Sequence, residues 1–217
     1  SKNYKYITVV TDPSDYKNLE NELKKNKGST SEEFREKMAC EAFAKITNYD
    51  SLISQWFLKN NKKYVPKFFS VSGKHKIKLR YGENPHQQSS LYISDYEDKQ
   101  LGFNQIHGKE LSHNNYNDMF ASLQILDSLK KNSGTVIIKH ANPCGVSSNK
   151  SAFQSFLNAQ ASDPISAFGG IVACNYKINN KIASEINKTF FEVILAKGFE
   201  KKVLKILKKK KNMRVID

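Results

Sequence analysis

Apolar and polar residues follow two different rhythms along this chain, and the change between them divides it. Tyr6–Val10 is a short, largely β-branched run that predicts a strand. Thr11-Asp12-Pro13 then turns the chain, and Pro13 suits the first turn of a helix reaching about Lys27, with Gly28 ending it. Thr30 and Glu33 fit a capping box opening a second helix. Its apolar residues Phe34, Met38, Ala42, Phe43, Ile46, Ile53, Trp56 and Phe57 recur at helical spacing, with a break predicted near Asn48–Asp50. That stripe reads as core or interface. The stretch 59–73, with Asn, Lys, Pro66, Ser70 and Gly73, reads as the start of a connection. The predicted division is a first domain over 1–62, a linker over 63–78 and a second domain over 79–217.

Beyond the linker the rhythm becomes an alternation of short apolar runs and amphipathic segments. Leu91–Ile93 predicts a strand and Tyr116–Lys130 a helix carrying Phe120, Leu123, Leu126 and Leu129. Strand Thr135–Lys139, helix Ser151–Ala161, strand Gly170–Cys174, helix Asn179–Thr189, strand Glu192–Ala196, helix Gly198–Lys209 and strand Met213–Ile216 follow. Strands and helices in turn, with short connections, imply an α/β layered sheet.

Composition changes this picture little. No apolar run approaches the roughly 20 residues that span a bilayer, and Ser1–Lys5 lacks the apolar core of a signal peptide. The chain does not begin with Met and enters a strand-like run almost at once, so it is expected to be a piece of a longer protein. Cys40, Cys144 and Cys174 are odd in number and widely spaced, which argues against a disulfide framework and fits a reducing, cytoplasmic setting. The net charge is +14, and many of the lysines lie in the stretches Lys59–Lys63, Lys74–Lys78 and Lys208–Lys211. A basic module binding single-stranded RNA is one reading of it. The runs lack regularly spaced aromatic partners for stacked bases, so nucleic acid is the less favoured partner.

The chemistry concentrates in three segments. Thr135–Gly145, T-V-I-I-K-H-A-N-P-C-G, delivers Lys139 and His140 to the end of a buried strand, where Pro143 and Gly145 predict a turn. A loop at the carboxyl end of a strand is where open α/β sheets bind ligands, and a cation beside an imidazole is an acid–base pair. Leu79–Gln87, L-R-Y-G-E-N-P-H-Q, offers Arg80 for a phosphate or carboxylate and Tyr81 for stacking or hydroxyl donation. Asp163–Gly170, D-P-I-S-A-F-G-G, ends in two glycines that allow close backbone approach. A zinc site of deaminase type needs His-x-Glu and Pro-Cys-x-x-Cys. Here Asn142 and Ser147 stand where Glu and the second Cys would be, so the metal set is incomplete. Cys144 is four residues from His140 and has no obvious third group to orient a nucleophilic pair.

Taken in order, R-Y-G-E-N-P-H-Q, H-G-K-E-L-S-H-N-N-Y-N-D (His107–Asp118), I-K-H-A-N-P-C-G and D-P-I-S-A-F-G-G resemble the bifunctional AICAR transformylase/IMP cyclohydrolase family. V-V-T-D-P-S-D-Y, T-S-E-E-F-R-E-K-M-A and A-F-A-K-I-T-N-Y-D resemble the end of its cyclohydrolase domain. The resemblance implies the C-terminal end of a Rossmann-like (methylglyoxal-synthase-like) domain, followed by a cytidine-deaminase-like α/β lobe without zinc. It implies formyl transfer from 10-formyltetrahydrofolate to the 5-amino group of AICAR, in a cytoplasmic homodimer. Lys139 and His140 fall on the family's catalytic pair, Arg80 and Tyr81 on its nucleotide contacts. Phe168 and Gly169 match the turn beside the imidazole carboxamide, and Glu192 matches an acidic substrate contact that is Asp in some members. His113 replaces the more usual Tyr of S-Y-N-N, a change read as neutral. The same resemblance puts the cyclohydrolase catalytic residues before Ser1 and most of the folate site beyond Asp217.

Overall fold

The computed structural model describes residues 1–61, 63–94, 102–129 and 131–217. The chain divides into two compact units. One is Ser1–Lys74 with the described part of Tyr92–Lys99; the other is His75–Leu91 with the described part of Gln100–Asp217.

The first unit is helical. Asp12 caps a 3-10 turn, Pro13–Asp15, by accepting the Ser14 amide, and helix α1 runs Tyr16–Lys25. Hydrogen bonds from the Ser14 amide and hydroxyl, with Lys45 beside them, lower the Asp12 carboxyl to about 2. Helix α2, Glu32–Asn60, begins one residue later than the predicted capping box: Ser31, not Thr30, accepts the Phe34 amide. Thr30 instead bonds the Thr8 hydroxyl at 2.8 Å. The predicted break at Asn48–Asp50 is absent, because α2 runs unbroken through it. Tyr6–Val10 is not a strand. Among the described residues of this unit no strand lies beside it, and an unpaired strand leaves its amides without partners. Of the predicted stripe on α2, Met38 and Ala42 are buried, whereas Phe43, Ile46, Ile53, Trp56 and Phe57 are exposed.

Part of the expected linker is also ordered. Lys74–Lys78 forms strand β1, which with β2 (Ser90–Ile93) makes a two-stranded sheet.

The second unit is built on a six-stranded mixed sheet, ordered β3-β8-β7-β6-β4-β5. The strands are β3 (Gln105–His107), β4 (Ser133–Lys139), β5 (Asn142–Asn149), β6 (Ile171–Cys174), β7 (Val193–Ala196) and β8 (Arg214–Ile216). β6, β7 and β8 are parallel, while β4 runs antiparallel to both β5 and β6. Helix α3 (His113–Ser128) covers one face, packing Met119 and Leu126 against Val136, Ile138, Ile171 and Val193. Helices α4 (Ala152–Ser162), α5 (Asn180–Lys188) and α6 (Lys201–Leu207) cover the other. They pack Phe156, Ile182 and Leu207 against Ile137, Val172 and Ile194. Ser112, Ser151 and Asn179 cap α3, α4 and α5 with side-chain oxygens, the residue types that satisfy free helix-start amides. No described helix is long and apolar enough to cross a membrane.

The predicted elements of this unit are recovered within a few residues, with two exceptions. β3 is not among the predicted strands, and β5 begins where a turn is predicted. β5 carries Pro143, Cys144 and Gly145, so those residues do not form the predicted turn. Lys130, the predicted end of α3, lies outside the described residues. One lysine of the 208–211 run is structural: Lys210 Nζ donates to the carbonyls of Asn187 and Thr189 at 2.8 and 2.9 Å, closing the end of α5.

Gly145 sets how closely α4 can lie on β5. A Cβ there would sit 1.8 Å from the carbonyl oxygen of Ala159, so the helix must withdraw. Gly145→Ala is therefore expected to cost about 3 kcal/mol, the upper part of the range for overpacking. Urea denaturation checks this, and an unchanged midpoint would contradict the close approach.

Candidate active site

The turn between β4 and β5 is two residues long. His140 and Ala141 are both left-handed, with φ of 54° and 58°. Two consecutive positive φ values match a two-residue hairpin of type I′, whose twist suits the flanking strands. Asn-Gly is the usual occupant, and a non-glycine residue in this region costs about 1–2 kcal/mol. Two side chains hold the turn. Asp118 on α3 accepts the Ala141 amide at 2.7 Å and the His140 amide at 3.3 Å. Asn142 Nδ2 donates to the His140 carbonyl at 2.9 Å.

Lys139, the last residue of β4, extends to the carbonyl of Phe168 at 3.0 Å. That carbonyl belongs to the 163–170 turn, which Asp163 stabilises by accepting the Ser166 amide at 2.9 Å. The Ser166 contacts hold the Asp163 carboxyl below the usual carboxylate range. Gly169 has a φ of +76° and donates its amide to the Phe190 carbonyl at 2.8 Å. The Phe168 ring, 58% exposed, leans on Phe190 with centroids 5.6 Å apart.

Arg80 and Tyr81 lie on a loop closed by the Leu79 amide to the Ser89 carbonyl and the Gly82 amide to the Gln87 carbonyl. The Arg80 guanidinium stands 5.7 Å from the Tyr81 ring centroid. Ser89 Oγ meets His113 Nδ1 at 3.1 Å, so the residue read as a neutral replacement ties this loop to the start of α3.

These segments surround one cleft of about 250 Å³, lined among others by Arg80, Tyr81, Asp118, Lys139, His140, Gly169, Glu192 and Arg214. Six of the seven residues singled out from sequence line it. Phe168 lies beside it, touching Lys139 through its carbonyl. Glu192 Oε2 accepts from Asn115 Nδ2 at 3.0 Å and lies 3.6 Å from the Arg214 guanidinium. Arg214 is largely covered, its side chain 13% exposed, and also donates to the Glu110 carbonyl. The cleft sits at the carboxyl end of β4. Because β4 runs against its neighbour, it is also at the amino ends of β6, β7 and β8. It is therefore not the usual carboxyl-end crevice of a parallel sheet.

The whole chain, residues 1–217, matches the family model described as AICARFT/IMPCHase bienzyme. The chain belongs to that family. It is 41% identical to the bifunctional purine biosynthesis protein PurH of Thermoanaerobacter sp. (strain X514), an alignment covering all of this chain and 42% of that protein. PurH proteins of Brucella ovis and Mesorhizobium japonicum are 40% and 41% identical, again over all of this chain and 41% of theirs. The chain thus spans about two fifths of the length of the curated relatives it matches. Within this AICARFT/IMPCHase chain, the larger unit contains the cleft and every residue singled out from sequence.

Sequence reasoning missed Asp118, Asn115 and Arg214 as cleft residues. The first two belong to the quoted His107–Asp118 motif, and their spacing of three puts them on one face of α3. Arg214 carried no local signal, being one more cation beside a lysine run. The surroundings of Cys144 do not activate its thiol. Burial raises its thiol above the ordinary value, the charges of Asp163 and Asp118 add to this, and Lys139 opposes it only partly. Cys144 should therefore be alkylated by iodoacetamide more slowly than free cysteine at pH 7.5. Faster alkylation would mean an activated thiolate and would restore the paired-nucleophile reading.

Proposed function

We propose that the cleft binds AICAR and transfers a formyl group to its 5-amino nitrogen from 10-formyltetrahydrofolate. On this reading His140 acts as general base and Lys139 as the fixed cation. The observation that carries the proposal is the meeting of Lys139 and His140 with Arg80, Tyr81, Gly169 and Glu192 in one cleft, from segments far apart in sequence. On the same reading, 1–62 is the end of a Rossmann-like cyclohydrolase domain, and 79–217 is the first lobe of a deaminase-like transformylase domain without zinc. The assembly is a cytoplasmic homodimer.

The aromatic amine is a weak nucleophile, because its lone pair is delocalised into the imidazole ring. As its nitrogen bonds to the formyl carbon, it must lose a proton, and the His140 imidazole takes it. Negative charge gathers on the formyl oxygen. Lys139, with one of its N–H groups committed to the Phe168 carbonyl, holds its ammonium at a set position to balance that charge. The bond from the formyl carbon to N10 of the folate then breaks, and N10 takes up the proton held by His140. The products are formyl-AICAR and tetrahydrofolate. Arg80 supplies a planar, permanently charged partner for the nucleotide phosphate, and Tyr81 a face for stacking. Glu192, oriented by Asn115 and Arg214, offers a carboxylate that accepts from substrate N–H groups.

In the complete protein that carries this chain, His140→Ala is expected to abolish formyl transfer while leaving circular dichroism and thermal unfolding unchanged. The assay follows AICAR-dependent tetrahydrofolate release, and a folded, active variant would remove His140 from the chemistry. Arg80→Ala is expected to raise the KM for AICAR roughly tenfold or more, the loss of a charge-assisted contact. An effect confined to the folate KM would place Arg80 elsewhere.

A further inference from the structure

Helix α3 lines the cleft with Asn114, Asn115 and Asp118, and the last two, three residues apart, each hold another part of it. Asn115 holds Glu192, and Asp118 holds the turn that carries His140. The second contact is unusual in what it holds. One carboxylate accepts two consecutive amides, from two residues that both adopt a left-handed backbone without being glycine. Histidine tolerates that region better than most residues, but alanine has no such preference. The local sequence alone therefore does not favour this turn.

We propose that Asp118 is a positioning residue for His140: its carboxylate chelates the amides of His140 and Ala141, and so fixes the left-handed turn that aims the imidazole into the cleft. This rests on the reading of His140 as the general base. Several features support it. The acceptor is anionic, and such hydrogen bonds to backbone amides are short and strong, as the 2.7 Å contact to Ala141 is. Asp118 is borne on a rigid element: α3 starts at a capping box between Ser112 and Asn115, and its Met119 is wholly buried against the sheet. The other end of the turn is also held, by Asn142 on the His140 carbonyl. With both peptide groups of His140 tethered, the turn has one backbone geometry, and the imidazole one origin. A general base misplaced by about 1 Å can lose on the order of 100-fold in rate, which is the scale of effect such a tether controls.

The test uses the complete protein that carries this chain. Asp118→Ala is expected to lower kcat about 100-fold. The KM for AICAR should move less than about threefold, because the Asp118 carboxylate is committed to the two turn amides. Asp118→Asn, which keeps one acceptor oxygen, should fall between. Adding Ala141→Gly to Asp118→Ala should recover about tenfold of the lost kcat, since glycine enters the left-handed region without strain and restores the turn. Amide exchange followed by mass spectrometry reads the turn directly, independently of the reaction. Peptides covering 139–142 should exchange faster in Asp118→Ala, and the rest of the sheet should not.

Wild-type kcat in a folded Asp118→Ala protein would overturn the proposal. So would a loss of kcat that Ala141→Gly leaves untouched, or a dominant rise in the AICAR KM, because Asp118 would then be acting on the substrate. Unchanged exchange at 139–142 would overturn it while leaving the formyl-transfer reading intact. Faster exchange in a protein whose His140→Ala variant still transfers formyl would uphold the tether and overturn the reading on which its catalytic purpose rests.

Discussion

Strand β4 is buried on both faces, and most of the second unit follows from that. Val136 and Ile138 point into the core under α3, and Ile137 into the core under α4, α5 and α6. All three are fully buried. Side chains on a strand alternate, so a slip of one residue would send every one of them to the wrong layer. The register of β4 against β5 and β6 is therefore pinned from both sides, and with it the residue at which the strand must end. That residue is Lys139. The buried strand does not merely lead to the site; its fixed register determines that the lysine leaves the sheet facing the 163–170 turn and that His140 begins the hairpin.

The polar contacts around the cleft extend this rigidity into the loops. These pairings of exposed and partly buried groups join segments distant in sequence. Asn115 reaches Glu192, Lys139 reaches Phe168, and Arg214 reaches Glu110 and Glu192. Deeper in the sheet, the buried Thr135 hydroxyl is hydrogen-bonded to Ser155 at 3.0 Å and Tyr176 at 2.6 Å. Burial pushes the Tyr176 hydroxyl far up and the Cys174 thiol up to about 12, so both stay neutral. The buried polar side chains of this unit, Asn115, Ser122, Thr135 and Ser155, are all uncharged, whereas the cleft is lined by the charged Arg80, Asp118, Lys139, Glu192 and Arg214.

The layered α/β character was legible in the sequence because β4, β6 and β7 are short, continuous apolar runs separated by amphipathic helices with clear caps. The pairing directions were not. Nothing in V-I-I-K or I-V-A-C says that β4 runs against β6, since fully buried strands look alike in either orientation. Pro143 and Gly145 were misread for a definable reason. Proline and glycine usually mark turns, but Pro143 sits at a bulge opposite Ile138, and Gly145 is small because α4 crosses there. The true turn, His140-Ala141, carries no turn signature, because a carboxylate from another element holds it. The exposed stripe on α2 misled through periodicity: helical spacing shows that a face is apolar, not what covers it. The site residues themselves were named through the family's motifs. Asp118, Asn115 and Arg214 were not found: the helical spacing of the first two shows a shared face but not what that face touches, and Arg214 has no local signal.

The chemical account comes down to one distance. If His140 is the base, its imidazole must lie within reach of the amine that it deprotonates. A structure of the complete protein with AICAR bound tests this most directly. The account predicts the 5-amino nitrogen within about 3 Å of an imidazole nitrogen of His140, with the phosphate on Arg80. AICAR seated elsewhere, or seated in this cleft with its amine turned away from His140, would contradict it.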